Sequence, residues 1–400
     1  MAGKCPIHEN PMPFDAQFSS DPYGYYGEKH AEGPIHRVCI PGGDPVWLVT
    51  GYDEVYQLLR DKRLARPRQY ANADYTNTRA LEGAPEAPLV MQDPPEHTRG
   101  RRLVNYAFIP KRIEALVPRM HEIVDGMLDR IADDGKADLM EALVVPFPIT
   151  VIADIVGVPD EERAQFQAWG DALFSTAPPE VAAKAFGELT GFIARLTEER
   201  SVEPQDDLVS LMLNGTHKDG EPVTQQEVRH LATILIAAGY DTTVGSIAAG
   251  LIGLLSRPEK MAELRADPGL LPSATEELLR LYSSVQRGFR RFATEEMVIG
   301  GTTVSAGDTV YLGIGAADRD PGRFADPQEM DFHREDNQHI AFGRGPHVCP
   351  ASELARVEVR LVLEKVLTRF PNIELAVPPE HVEWRESDFI RMPTSIPVTF

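Results

Sequence analysis

Cysteine is nearly missing from this chain: Cys5, Cys39 and Cys349 are the only three in 400 residues. So sparse and odd a set excludes a disulfide-built secreted scaffold. Basic charge is short too. Forty Lys and Arg face 61 Asp and Glu, giving a net charge of −21. That balance argues against nucleic acid or an anionic membrane as the partner of the whole surface. The sequence has no internal repeat, no low-complexity tract and no obvious interdomain linker. Its beginning, "MAGKCPIHENPMPFDAQF", lacks an apolar h-region, so neither a signal peptide nor an anchor is expected. These absences suggest a cytoplasmic protein with Cys5 and Cys39 reduced. They also suggest one domain over residues 1–400, with 1–44 as its N-terminal extension. The 42% hydrophobic content is enough for a sizeable core.

Long hydrophobic runs are also rare, and the one that stands out is "LATILIAAGYDTTVGSIAAGLIGLL", 231–255. Its length would nominate a membrane span. Asp241 and two threonines in its middle speak against lipid exposure, and Thr224-x-x-Glu227 reads as the capping box of a soluble helix. A buried central helix of about 45 Å over 225–255 is expected instead. Helical periodicity dominates 98–200, in "HEIVDGMLDRIADDG", "DEERAQFQAWGDALF" and "KAFGELTGFIARLTEER". Strands are expected in "DPVWLV", ahead of a helix capped by Thr50, in "EEMVIGGTTVSAGDTVYLG" and in "MPTSIPVTF". A second capping box, Ser273-x-x-Glu276, opens "ATEELLRLYSS". The Pro/Gly-rich stretch 81–97 reads as a functional loop. The whole is mainly α with a small segregated β region.

The third cysteine sits in "AFGRGPHVCP", 341–350. Gly343 and Gly345 allow conformations that other residues resist. Pro350 suits the first position of the helix that "SELARVEVRLVLEKVL" promises. Cys349 would then lie at a helix N-terminus, where the dipole favours a thiolate suited to an axial iron ligand. A buried structural cysteine is the plainer reading. A zinc site from His333, His339, His347 and Cys349 matches no usual spacing.

Phe342-Gly343-x-Gly345-x-His347-x-Cys349, followed by Leu354-Ala355-Arg356, resembles the haem loop of the cytochrome P450 family, in its soluble bacterial branch. Further elements follow the family's order. "DPPEHTRGRRLV" resembles the helix whose His and Arg bind a haem propionate, here His97 and Arg101. "AAGYDTT" resembles the oxygen-activation kink of the central helix, through Ala238, Gly239, Asp241 and Thr242. Glu277 and Arg280 of "EELLR" match the Glu-x-x-Arg pair, with Arg334 placed to complete a Glu-Arg-Arg cluster. The similarity covers about residues 45–400. One departure is Ala351, where the family usually has glycine; a small repacking is expected.

The resemblance implies the cytochrome P450 fold, with haem b held between the central helix and the Cys-loop helix. Cys349 would bind the iron, with Phe342 beside it. His97, Arg101, Arg291 and His339 would serve the propionates, and Asp241 with Thr242 would relay protons. The implied activity is that of a monooxygenase using O2 on an apolar small molecule. Hydroxylation, epoxidation and oxidative coupling stay open. A ligand- or gas-binding protein without turnover and a peroxide-driven oxidase are the rivals. No flavin or nicotinamide domain fits the remaining length, so ferredoxin and its reductase would supply electrons. They would dock near Arg102, Arg344 and Arg360 on a monomer. Substrate contacts are expected from Val90, Met91, Ile234, Ala237, Val285, Phe289, Phe389 and Ile390.

Overall fold

The computed structural model describes residues 16–39, 45–73, 75, 88–174, 179–218, 220–387 and 389–400. Cys5 and residues 81–87 of the 81–97 loop lie outside these residues. Around the long helix Gln225–Leu255 gather the helices Pro146–Val156, Pro179–Val202, Leu271–Leu281 and Ser352–Arg369. The helix Pro110–Asp129 packs on Ser352–Arg369 in turn. From Thr243 to Leu255 nearly every residue of the long helix is buried, including Val244, Ile247, Ala248 and Leu251. By length and composition it could cross a membrane, yet 56% of its most apolar stretch is buried inside the fold. Thr224 starts it as expected: its hydroxyl accepts from the Glu227 N–H at 3.2 Å, and Glu227 returns the bond to Thr224 N–H at 2.8 Å.

The β structure is small and set apart. Five strands run in the order Ile35–Cys39, Pro45–Val49, Thr309–Leu312, Arg291–Ala293 and Leu64–Ala65. The second and third are parallel, Trp47 opposite Val310, and the other pairs are antiparallel. Met297–Ile299 and Thr302–Val304 form a hairpin at Gly300-Gly301, where φ is +53° and +82°. Pro397–Thr399 pairs with Lys136–Asp138 and Glu374–Leu375.

Two capping expectations fail for local reasons. The helix Tyr52–Leu58 is preceded by Gly51, and its Tyr52 N–H is taken by the Asp320 carboxylate at 2.8 Å. Thr50 is buried instead against His36, 3.2 Å away. Ser273 lies inside the helix Leu271–Leu281 and donates back to Leu270 O at 3.1 Å. Cys39 differs as well, being disulfide-bonded rather than reduced, while Cys349 is a free thiol.

Glu277 and Arg280 face each other with both side chains at 0% exposure, bonded at 2.7 and 2.8 Å. Arg334 adds contacts to Glu277 at 3.3 Å, and Asn337 donates to it at 3.2 Å. Arg280 also donates to the carbonyls of Asp318 and Pro327, both at 2.9 Å. The cluster thus ties the helix Leu271–Leu281 to the irregular chain that leads into the Cys349 loop. Glu277→Gln should lower stability by about 3–5 kcal/mol, since it leaves two buried guanidiniums short of a counter-charge. Urea unfolding measures this; a midpoint equal to wild type would refute the cluster's structural role.

Candidate functional site

The Cys349 loop is held by backbone and by cations. Cys349 N–H donates to Phe342 O at 2.9 Å, closing a turn in which Gly343 and Gly345 have φ of +68° and +76°. A Cβ on Gly345 would come within 2.7 Å of Arg60, so the loop sits tight on the helix before it. Arg101, on the helix Glu96–Ala107, reaches across to donate to the Val348 carbonyl, and its Nε bonds Asn105 at 2.8 Å. Arg356 covers the Phe342 ring at 4.7 Å.

The expected thiolate stabilisation by a helix start is not what the structure shows. The helix begins at Ser352, three residues past Cys349, with Ala351 at its cap and Pro350 in the turn before it. Burial pushes the Cys349 thiol up; the Ala351 N–H, Arg101 and Arg356 oppose that without reversing it. A directly bound metal cation would favour the thiolate against that burial. No His/Cys/Asp/Glu cluster able to hold a metal ion occurs among the described residues, so the zinc arrangement of His333, His339, His347 and Cys349 does not assemble there.

Beside the loop lies a cluster of arginines and of histidines held in their neutral form. Arg66, His97 and Arg291 are 5%, 2% and 4% exposed. The rings of His97 and His347 lie with centroids 3.9 Å apart, tilted by 42°. Desolvation lowers His97 to about 4, with Arg101 and Arg66 adding to it. His347 is pushed far down by burial and then by Arg66, His97, Arg291 and Arg101, which places all five groups in one cluster. Burial also holds Arg291 down to about 10, against the pull of Asp93 and Asp61. Like charges gathered out of water are costly unless an anion joins them. The donor set fits a buried group carrying two carboxylates, as the propionates of a haem would.

His339 belongs elsewhere. Its Nε2 meets Glu276 at 3.0 Å, and Arg356 grips the same carboxylate at 2.7 and 3.1 Å. Although burial alone would raise Glu276, His339 and Arg356 bring it to about 2. The assignment of His339 to a propionate is thus corrected: Glu276 satisfies it, and His347 stands in the cation cluster instead. His347 was legible, two residues before Cys349. Arg66 carried no sequence signal beyond a proline after it.

Across from the loop, the central helix is not broken at Asp241–Thr242; it runs unbroken from Gln225 to Leu255. The hydroxyls of Thr242, Thr243 and Ser246 fold back on the carbonyls four residues earlier, at 2.8, 2.8 and 2.9 Å. Ala238 is exposed and Thr242 half-buried while Ile236, Tyr240 and Val244 are buried, so one face of a core helix borders open space. Gly239 looks the other way, where a Cβ would meet Ile152 at 3.2 Å. Asp241 is paired with Arg385 at 2.8 Å, a partner that sequence reading missed. Burial raises the Asp241 carboxyl, and Arg385 draws it back down.

Four of the expected substrate contacts do come together. Val285 bridges Ile390, and the Phe289 and Phe389 rings lie 4.9 Å apart. Ile390 also approaches the central helix at Gly245. Val90 and Met91 form the turn Leu89–Met91, whose Val90 carbonyl accepts from Arg66. Ile234 and Ala237 are half-buried on the central helix. A cavity of about 1140 Å³ opens elsewhere, between residues 94–106 and 211–218, and none of these residues lines it.

His347→Ala should weaken haem retention as much as His97→Ala does, each removing a charge-assisted bond of about 1.5–3 kcal/mol. His339→Ala should leave haem transfer to apomyoglobin at the wild-type rate or near it. The reverse ranking would return His339 to the propionates.

Comparisons with known proteins agree with this geometry. The profile of the family "Cytochrome P450" matches residues 171–268 and 269–400. The chain is 41% identical to cytochrome P450 monooxygenase PikC of Streptomyces venezuelae, over 95% of this chain and 91% of that protein. It is 38% identical to the mycinamicin IV hydroxylase/epoxidase of Micromonospora griseorubida, over 94% and 95%. The solved structure of cytochrome P450 MoxA from Nonomuraea recticatena superposes with a TM-score of 0.90 at 33% identity, covering 98% of each chain. With the lone-cysteine loop, the buried cation cluster and the acid–alcohol pair, these matches place the chain in the cytochrome P450 family of monooxygenases, enzymes that carry haem b and use O2 as co-substrate.

Proposed function

We propose that this chain oxidises an apolar secondary metabolite by hydroxylation or epoxidation, with electrons from a ferredoxin and its reductase. The observation that carries this reading is the Asp241–Thr242 pair on the open face of the central helix. A protein that only bound haem or a gas would have no use for a half-buried acid beside an alcohol there. The hydroxylase/epoxidase name of the Micromonospora relative and the apolar character of Val285, Phe289, Phe389 and Ile390 support the substrate class.

Cys349 would bind the iron, and Arg66, His97, Arg101, Arg291 and His347 would take the propionates. When bound, the haem supplies oxygen activation under the electron push of a thiolate ligand. The protein's own work is to orient substrate, exclude water and deliver protons. Phe289 and Phe389 wall the apolar side, while Thr242 Oγ1, bonded to Ala238 O, keeps lone pairs free to hold a proton-donating water. Asp241, with its carboxyl raised by burial and partly drawn back by Arg385, holds a proton more readily than a solvated aspartate. Arg102 is exposed and Arg344 stacks on Tyr56 at 3.4 Å. With Arg360 they offer a basic footing for an acidic ferredoxin on an otherwise acidic, cytoplasmic, monomeric protein of one domain.

Thr242→Ala should divert electrons to hydrogen peroxide, with reductant consumed and little product formed. Asp241→Asn should instead slow turnover by roughly 10²–10⁴-fold. Reductant used, peroxide released and product formed are measured together, with a substrate identified by screening for displacement of the distal water. Unchanged coupling and rate in both variants would sink the proton-relay reading. Reductant consumption indifferent to every ligand would favour the non-catalytic alternative, and turnover on peroxide alone the peroxide-driven one.

A further inference from the structure

The C-terminal hairpin that carries Phe389 and Ile390 also reaches the acid. Arg385 Nη2 lies 2.8 Å from Asp241 Oδ2, with the two side chains 19% and 14% exposed. The other oxygen, Asp241 Oδ1, is buried with no hydrogen-bond partner among the described residues. One carboxylate oxygen is therefore fixed, and the other is left to exchange a proton. Arg385 is itself fixed through its backbone: its N–H donates to Met392 O at 2.9 Å, and Trp384 bridges Pro393.

The same hairpin is locked to the central helix beside the alcohol. Arg391 N–H donates to Ser284 O at 2.7 Å, and Ser284 Oγ donates to Thr242 O at 2.7 Å. Phe389 O accepts from Gln286 N–H at 2.9 Å. At Gly245 a Cβ would come within 2.9 Å of Arg391 O and 2.8 Å of Ser284 Cβ, so hairpin and helix touch without slack.

We infer that Arg385 is the positioning residue for Asp241: it pins Oδ2, leaves Oδ1 as the exchanging oxygen, and links the acid to the hairpin residues that meet substrate. This rests on Asp241 being the proton-handling group. Burial raises that carboxyl and Arg385 offsets part of the rise, so the arginine keeps the acid able to give up its proton as well as hold it.

The test uses the holoenzyme without organic substrate, driven by a plant-type ferredoxin and its reductase, and follows dioxygen consumption. Arg385→Gln should slow it on the order of 10²-fold, the scale of a misplaced catalytic group, and Arg385→Lys should recover most of the loss. In an Asp241→Asn background, Arg385→Gln should slow it no further, and urea midpoints of the four proteins should be non-additive in the same sense. A wild-type rate in Arg385→Gln, or a full additional loss in the double variant, overturns the positioning role while leaving Asp241 in place. A wild-type rate in Asp241→Asn removes the acid reading, and this proposal with it. Should Arg385→Gln fail to fold, the double variant should refold and bind haem, because no unpaired buried carboxylate remains. Its failure to do so would also overturn the pairing.

Discussion

A buried surplus of positive charge beside a single cysteine is the constraint from which the rest follows. Arg66, Arg101 and Arg291 gather there with His97 and His347, whose rings burial and the arginines keep uncharged at neutral pH, and burial holds Arg291 down to about 10. Nothing in a folded chain keeps such a group together for its own stability. The fold supplies the scaffolding for it: Arg101 also holds the Val348 carbonyl, and Arg66 also holds that of Val90. Arg101 and Arg66 thus each brace the wall of the site. Glu277 does the opposite work nearby, neutralising Arg280 and Arg334 so that they fix the approach to the loop.

The opposite wall is built by economy of movement. The central helix is apolar and covered beyond Thr243, and the hydroxyls of Thr242, Thr243 and Ser246 are satisfied by carbonyls of the helix itself. In the middle of the helix, Ala238 is exposed, Thr242 is half-buried and Asp241 takes a partner from far away in sequence. Oxygen chemistry needs protons delivered in order to a dry place, and a half-buried acid next to a back-bonded alcohol meets that need with no further machinery.

Much of this was legible in the residues. The central helix, its Thr224–Glu227 cap and the Gly300-Gly301 hairpin follow from local chemistry, since each depends on neighbours within a few positions. What was not legible depends on distant chain. Thr50 could not be seen to lose its cap to Asp320, nor Ser273 to yield its role while Glu276 turned to Arg356 and His339. His339 and His347 are both histidines near Cys349 in sequence; only packing shows that one faces a carboxylate and the other a nest of cations. Arg385 pairs with a residue 144 positions away, beyond the reach of any spacing rule.

The central claim is that Cys349, raised by burial and without other metal-binding neighbours among the described residues, is the sole protein ligand of a haem iron. The most direct measurement is the absorption spectrum of the reduced, carbon-monoxide-bound protein for wild type, Cys349→Ser and Cys39→Ser. The account predicts a red-shifted thiolate band in wild type and Cys39→Ser, and its disappearance in Cys349→Ser. Persistence of that band in Cys349→Ser would contradict it.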